Sequence, residues 1–291
     1  MSDALLFTDS SVDLPADLLE EVGVELLAMP YTLGDVEHPS RSQPEPTIDE
    51  FYDALRTGVL SKTAQVRPAD CIAAFDKAYA SDRAALLLTI SSGLSATYDT
   101  ALAAREAFLE EHPDARIHVI DSLSVSVNQG LLLLKIAERL RDGHSADEVA
   151  VWAESNRLRT NAVFTVDSFE YLVRGGRVSP AVGAVGSVLD IKPILKVDRE
   201  GRLSVLKKTR GRHHALSMLA DLVAERIVEP EHQTIVINHA QCPEDAEVLE
   251  GLLAERFTAG GVIHGRIGVI IGTHVGPGGL AVSFWGGQAR Q

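Results

Sequence analysis

The sequence predicts an α/β fold in two domains: a doubly wound, mainly parallel sheet with helices on both faces over residues 1–160, then a mixed α/β unit over 161–291. Three observations predict it. Apolar strand-like runs end repeatedly in clusters of hydroxyls. Strand and helix patterns alternate as far as Thr160, which implies a parallel sheet covered by helices. Beyond that point a hairpin signal breaks the alternation.

The first strand, residues 4–7, runs into Thr8-Asp9-Ser10-Ser11. A helix over 16–22, a strand over 24–32 and helices over 47–55 and 70–79 follow. The strand at 84–88 runs into Thr89-Ile90-Ser91-Ser92-Gly93-Leu94-Ser95, and an amphipathic helix spans 95–110. The strand at 117–120 runs into Asp121-Ser122-Leu123-Ser124 ahead of a helix over 129–140. Ser145-Ala146-Asp147-Glu148 sets a hydroxyl three residues before an acid, the mark of a capped helix start. Val163-Phe164 runs into Thr165-Val166-Asp167-Ser168.

In the second half, Gly175-Gly176 is a turn, and the strands at 193–197 and 203–207 bracket Asp198-Arg199-Glu200-Gly201 as a hairpin. A helix over 213–227, a strand over 234–238, a helix over 243–257 and two glycine-punctuated strands complete the chain. No repeat or low-complexity linker separates the halves, so the boundary near Asn161 is soft. If the first strands are parallel, their hydroxyl turns gather on one sheet edge, where α/β proteins bind ligands. Hydroxyls and free N–H groups at helix N-termini suit a small anionic head group.

Hydrophobic residues make up 45% and charged residues 23% of the 291, which supports a packed core and argues against disorder. Cys71 and Cys242 do not make a disulfide framework. Met1-Ser2-Asp3 carries no basic signal-peptide start, and no apolar run nears the roughly 20 residues that span a bilayer. The expectation is a cytoplasmic protein with at most transient membrane contact. A net charge of −14 argues against a general nucleic-acid binder. Residues 174–214 nevertheless hold ten Lys or Arg against three acids, a concentrated basic segment for an anionic ligand or partner or simply a solvated face.

No G-x-S-x-G, Walker A or G-x-G-x-x-G motif is present. The ten histidines lack H-x-x-x-H spacing, and nothing nearby completes a zinc site around His239 and Cys242. Ser91, Ser92, Ser95 and Thr97 crowd one helix start, where a cap needs one hydroxyl. Ligand contact by at least one of them, Ser95 first, is the better reading. On residues alone, Lys62 to Pro68 reads as a cap with a proline-initiated turn, and Arg174 to Ser179 as a turn with solvated arginines. Gly272-Thr273-His274-Val275-Gly276-Pro277-Gly278-Gly279 has more glycine than a turn between strands needs, so close backbone approach is expected there.

Together these segments resemble the DegV family across essentially the whole chain. Phe7-Thr8-Asp9-Ser10-Ser11-Val12-Asp13-Leu14 is similar to its T-D-S-(S/T)-x-D-L start, and residues 90–98 to its I-S-S-G-L-S-G-T-Y segment. Tyr171 to Ser179 resembles Y-L-x-x-G-G-R-(I/V)-S, Lys192 to Leu195 resembles K-P-I-L, and His274 to Gly278 resembles H-x-G-P-G. For the family's T-S-Q-P-S-P segment, Arg41-Ser42-Gln43-Pro44-Glu45-Pro46 is closer by letter, but Thr63-Ala64-Gln65-Val66-Arg67-Pro68 is in the right place after the Glu50-Phe51-Tyr52 helix. Ala96 stands where the family usually has Gly. These departures bear on pocket shape and spare the hydroxyls of Thr63 and Ser95.

The resemblance implies a long-chain fatty acid buried between two domains, its carboxylate held by Thr63 and Ser95. Ser92, Arg177, Arg210 and His274 are then near the head group. It also implies no resident cofactor and no catalytic activity of the chain alone. A separate ATP-binding kinase subunit would phosphorylate the bound acid to an acyl phosphate. The tail supplies most of the affinity, at about 0.8 kcal/mol per buried CH₂, or on the order of 10 kcal/mol for a long chain before entropic costs. Two rivals stand beside this. One is a free-standing serine hydrolase or acyltransferase with Ser95 as nucleophile and His274 as base, for which no third group is evident. The other is a lipid chaperone without a kinase partner.

Overall fold

A computed structural model of the chain describes residues 3–40, 46–183, 191–287 and 289–290. The chain runs β1 (Ala4–Asp9), α1 (Ala16–Glu21), β2 (Val24–Leu27), β3 (Pro30–Leu33), β4 (Val36–Pro39), α2 (Ile48–Arg56), β5 (Ser61–Thr63) and α3 (Pro68–Ala80). Then come β6 (Ala84–Thr89), α4 (Thr97–Glu111), β7 (Ile117–Asp121), α5 (Val127–Arg141), α6 (Ala146–Asn156), β8 (Thr160–Thr165), α7 (Glu170–Arg174) and α8 (Pro180–Gly183). It ends with β9 (Ile191–Val197), β10 (Leu203–Arg210), α9 (Arg212–Arg226), β11 (Thr234–His239), α10 (Pro243–Ala254), β12 (Gly261–Arg266), α11 (Val269–Val275) and β13 (Leu280–Trp285).

The expected parallel sheet forms in the order β2-β1-β6-β7. Its strands are apolar on both faces because both are covered. Leu6, Leu86 and Leu88 face α5 and α6, whereas Phe7 and Leu87 face α3 and α4. The later strands make a six-stranded mixed sheet, β10-β9-β8-β13-β11-β12, in which β11 and β12 are parallel and the other pairs antiparallel. Val163, Leu280 and Phe284 on one side of it pack under α9 and α10. α5 is buried nearly all round and touches β1, β8 and β13, so it lies between the two sheets.

Local signals hold where local chemistry decides. Ser145 and Glu148 form a reciprocal capping box at α6, and Thr47 and Glu50 do so at α2. The β9–β10 hairpin closes through the Asp198 N–H, which donates to Arg202 O at 2.9 Å.

Three expectations change. The strand over 24–32 is two strands in different sheets. The chain leaves β2 at Leu27 and enters a small antiparallel sheet, β4-β3-β5, at Pro30, a residue that cannot donate to a continuing ladder. The glycine-rich interruption near the C-terminus contains a helix, α11, and only Gly276 to Gly279 remains loop. The hydroxyl run after Val163-Phe164 belongs to the mixed sheet, not to the parallel one. Residues 41–45 of the alternative Arg41 to Pro46 segment lie outside the described residues.

Candidate functional site

A cavity of about 440 Å³ lies between the loops of the parallel sheet and the inner face of the mixed sheet. Ala162 and Phe164 on β8 and Ala281 and Ser283 on β13 form its floor, with Ala281 paired to Phe164 and Ser283 to Ala162. The small side chains leave the space. Ile270, Ile271 and Val275 of α11, with Met29, Leu172 and Leu203, are among the apolar residues of the remaining wall. An apolar cavity of this size with a few placed polar groups has the character of a small-molecule site, for which about 300–1,000 Å³ is typical.

The polar groups gather from distant parts of the chain. Thr63, Ser92, Ser95, Arg177 and His274 all line the cavity. Thr63 closes β5, which pairs with β3, and its Oγ1 is 2.8 Å from His274 Nε2. Beside it, Ser61 Oγ lies 2.7 Å from Thr273 Oγ1, so the end of α11 is tied to the small sheet twice. Arg210 is different. It is exposed at the end of β10 and does not line the cavity.

Ser95 lies one residue before the N-cap of α4, Ala96, and is a residue of the cavity wall. Its Oγ accepts from Thr97 N–H at 3.2 Å at the start of α4, and the same hydroxyl faces the cavity. The turn before it is covered by the β9–β10 hairpin. Ser91 Oγ donates to Gly201 O at 2.8 Å, and a Cβ on Gly201 would sit 2.0 Å from Ser91 Oγ at a φ of +71°. Arg177 donates from Nε and Nη2 to Leu94 O at 3.2 and 3.0 Å, joining the Gly175-Gly176 turn to the Ser91–Ser95 turn. Burial holds its guanidinium below the usual arginine range.

His274 is largely enclosed. Burial, and secondarily the Arg177 charge, push its imidazole down to about 4, so the ring is neutral at pH 7. Its Nδ1 has no hydrogen-bond partner, and a Cβ on Gly175 would lie 2.2 Å from that atom. Gly175 is therefore what allows the end of α7 to reach the ring. The ring's one hydrogen-bonded nitrogen meets Thr63 and not Ser95, and a value near 4 makes it a weak proton acceptor. Ser95 Oγ pairs with Thr97 Oγ1 at 3.0 Å instead, and among the described residues no acid orients the imidazole.

Of the other hydroxyl runs, the one after Phe164 reaches the cavity with Thr165, whereas Thr8 to Ser11 and Asp121 to Ser124 do not. Thr8 Oγ1 donates to Leu88 O at 2.8 Å, Ser11 Oγ to Gln129 Oε1 at 3.1 Å, and Ser122 Oγ to Ser124 O at 3.2 Å. Asp9 is fully buried, accepts from Ile90 N–H at 2.6 Å, and burial raises its carboxyl above the usual range. The edge they share is roofed by α5 and the second sheet, so these hydroxyls are satisfied by backbone and side-chain oxygens within the protein. Sequence reasoning missed Gln65 and Ser126 on the wall. Ser126 was within reach, two residues past the run that ends at Ser124.

A family model described as an uncharacterised protein of the DegV family matches residues 4–286. A DegV domain-containing protein of Clostridium perfringens is 38% identical over 286 residues, 98% of each chain. Among solved structures, a fatty acid binding DegV family protein from Streptococcus agalactiae superposes with a TM-score of 0.86 at 28% identity, covering 99% of this chain and 100% of its own. The Fatty Acid Kinase (Fak) B3 protein of Streptococcus pneumoniae, solved loaded with linoleic acid, shares the fold at a TM-score of 0.84 and 24% identity, over 98% and 99% of the two chains.

Proposed function

The chain belongs to the DegV family, and from that membership and the cavity we propose that it binds one long-chain fatty acid and presents it to a separate ATP-binding kinase subunit. The observation that carries this reading is one apolar cavity with Thr63, Ser95, Arg177 and His274 on its wall. The fatty acid binding named for the Streptococcus agalactiae protein supports it.

In the tautomer that protonates Nε2, His274 donates to Thr63 Oγ1, which frees the Thr63 O–H to donate to a carboxylate oxygen. With the Thr97 hydroxyl donating in its pair with Ser95, both the Thr97 N–H and O–H occupy acceptor sites of Ser95 and leave the Ser95 O–H for the ligand. The Arg177 charge offsets that of the carboxylate. The tail then runs over Ala162, Ala281 and Ser283, where its buried CH₂ groups supply most of the affinity. On this reading residues 1–160 and 161–291 act as two domains closing on one ligand. Arg210, exposed in the basic segment, faces the kinase or the developing acyl phosphate.

The test has two arms. Delipidated protein is titrated with radiolabelled hexadecanoic acid, and loaded protein is incubated with ATP and the cognate kinase subunit. Saturable one-to-one binding with kinase-dependent acyl phosphate supports the whole reading. Binding without phosphorylation leaves the carrier and removes the kinase role.

A further inference from the structure

The opening Thr8 to Asp13 motif puts no residue on the cavity wall, yet its second acid holds two segments that do shape it. Asp13 Oδ1 accepts from Gly268 N–H at 2.8 Å, one residue before α11. Its Oδ2 accepts from Ser126 Oγ at 2.6 Å, one residue before α5. Its backbone oxygen accepts from Asn238 Nδ2 at 3.0 Å. Part of Asp13 opens on a groove beside β12, whereas the carboxylate is the enclosed part, with both oxygens engaged.

Both clasped segments need holding. Ser126 lines the cavity at φ 56° and ψ −143°, a region that a non-glycine residue keeps only when its surroundings over-determine it. A Cβ on Gly268 would be 2.6 Å from Asp13 Oδ1, so the approach requires glycine. Tyr52 Oη donates to Ile267 O at 2.8 Å and pins the preceding residue. From Gly268 the chain rises about 9 Å along α11 to His274, whose ring meets Thr63. One end of this helix is therefore set by Asp13 and the other by the head-group threonine.

We propose that Asp13 is a positioning residue of the ligand site, whose ionised carboxylate clasps Ser126 and Gly268 so that α11 holds His274 and Thr63 in register with a bound carboxylate. This rests on the fatty-acid reading. The titratable groups facing Asp13 are Asp9 on β1, Tyr52 on α2, and His264 and Arg266 across the groove on β12, with Arg266 held by Asp49 at 2.9 Å. Burial, and to a lesser degree the Asp9 charge, push the Asp13 carboxyl up to about 7. The charge that strengthens both clasping bonds is thus present above about pH 7 and lost below it. Because the folded-state value lies above the ordinary 3.8, ionising Asp13 lowers stability as pH rises from about 4 to about 7. Asp13→Asn removes that cost and the charge together.

The experiment measures release of radiolabelled hexadecanoic acid into excess phosphatidylcholine vesicles from pH 6 to 8.5, for the native protein, Asp13→Asn and Ser126→Ala. Thermal unfolding over the same range controls for folding. The native protein should release ligand about fivefold faster at pH 6 than at pH 8.5, the excess of a charge-assisted over a neutral bond. Asp13→Asn should release at the fast rate throughout while melting no lower than native at pH 8.5, and Ser126→Ala should also be fast. Asp13→Asn with the native rate and pH profile overturns this inference alone. A native protein that takes up no labelled acid overturns the fatty-acid reading and this inference with it.

Discussion

Replacing Thr63 by alanine removes two bonds of different kinds. On the proposed reading the hydroxyl donates to a carboxylate in the loaded protein, a bond to a charged group worth about 1.5–3 kcal/mol. At 1.4 kcal/mol per factor of ten, the dissociation constant should rise roughly ten- to hundredfold. The same change strips His274 Nε2 of its partner when Nδ1 already has none, leaving a buried ring with no hydrogen bond at all. That loss should lower stability by about 1–3 kcal/mol whether or not ligand is bound. The backbone is not at stake, because Thr63 keeps its place opposite Tyr31 in the small sheet. Titration of delipidated protein with a fluorescent fatty acid reads the first effect and denaturant unfolding the second. Thr63→Ser should recover most of both. A dissociation constant within twofold of native in Thr63→Ala would refute the assignment of this hydroxyl to the head group.

The other predictions concern Ser95, Arg210 and His274. Ser95→Ala should weaken binding by about 1–3 kcal/mol, with no acyl adduct in the intact mass of the native protein incubated with an activated ester. An adduct that disappears in Ser95→Ala would favour the hydrolase. Arg210→Ala should leave fatty-acid affinity near native, since the residue is off the cavity wall, while slowing acyl-phosphate formation with the kinase; normal phosphorylation would remove Arg210 from that role. His274 is held at about 4 against an ordinary 6.5, so stability present at neutral pH is lost as pH falls from about 6.5 to about 4. Between pH 7 and pH 5 the native protein should lose about 2 kcal/mol more than His274→Gln does, the comparison with the variant cancelling the opposite contribution of Asp13, measured by denaturant unfolding at the two pH values.

Local chemistry made much of the fold legible, and tertiary contacts account for the rest. The capping box at Ser145 and Glu148 and the hairpin around Asp198 to Gly201 are settled within a few residues, so pattern alone finds them. α11 was hidden because Val269-Ile270-Ile271-Gly272 reads as a strand running into a turn. As a helix it packs on α2 at Gly272, where a Cβ would lie 2.6 Å from Tyr52 Oη and 3.0 Å from Phe51, a tertiary contact that outweighs the low helix propensity of glycine. Hydroxyl clusters marked strand ends correctly but could not say which would face a cavity. Thr8 and Ser122 are sealed under α5 and the second sheet, while Ser92 and Ser95 line the cavity. Thr63 and His274 are 211 residues apart, and no periodicity joins them. Only the resemblance brought those two residues together before the fold did.

The central claim is that the cavity holds a fatty acid. Mass spectrometry of an organic extract of the freshly purified native protein tests it most directly, with the extract quantified against protein. The account predicts a saturated or monounsaturated long-chain fatty acid in roughly one-to-one amount, retained through purification because it is buried. An extract with no acyl chain, from a protein that also fails to take up labelled fatty acid after delipidation, would contradict it.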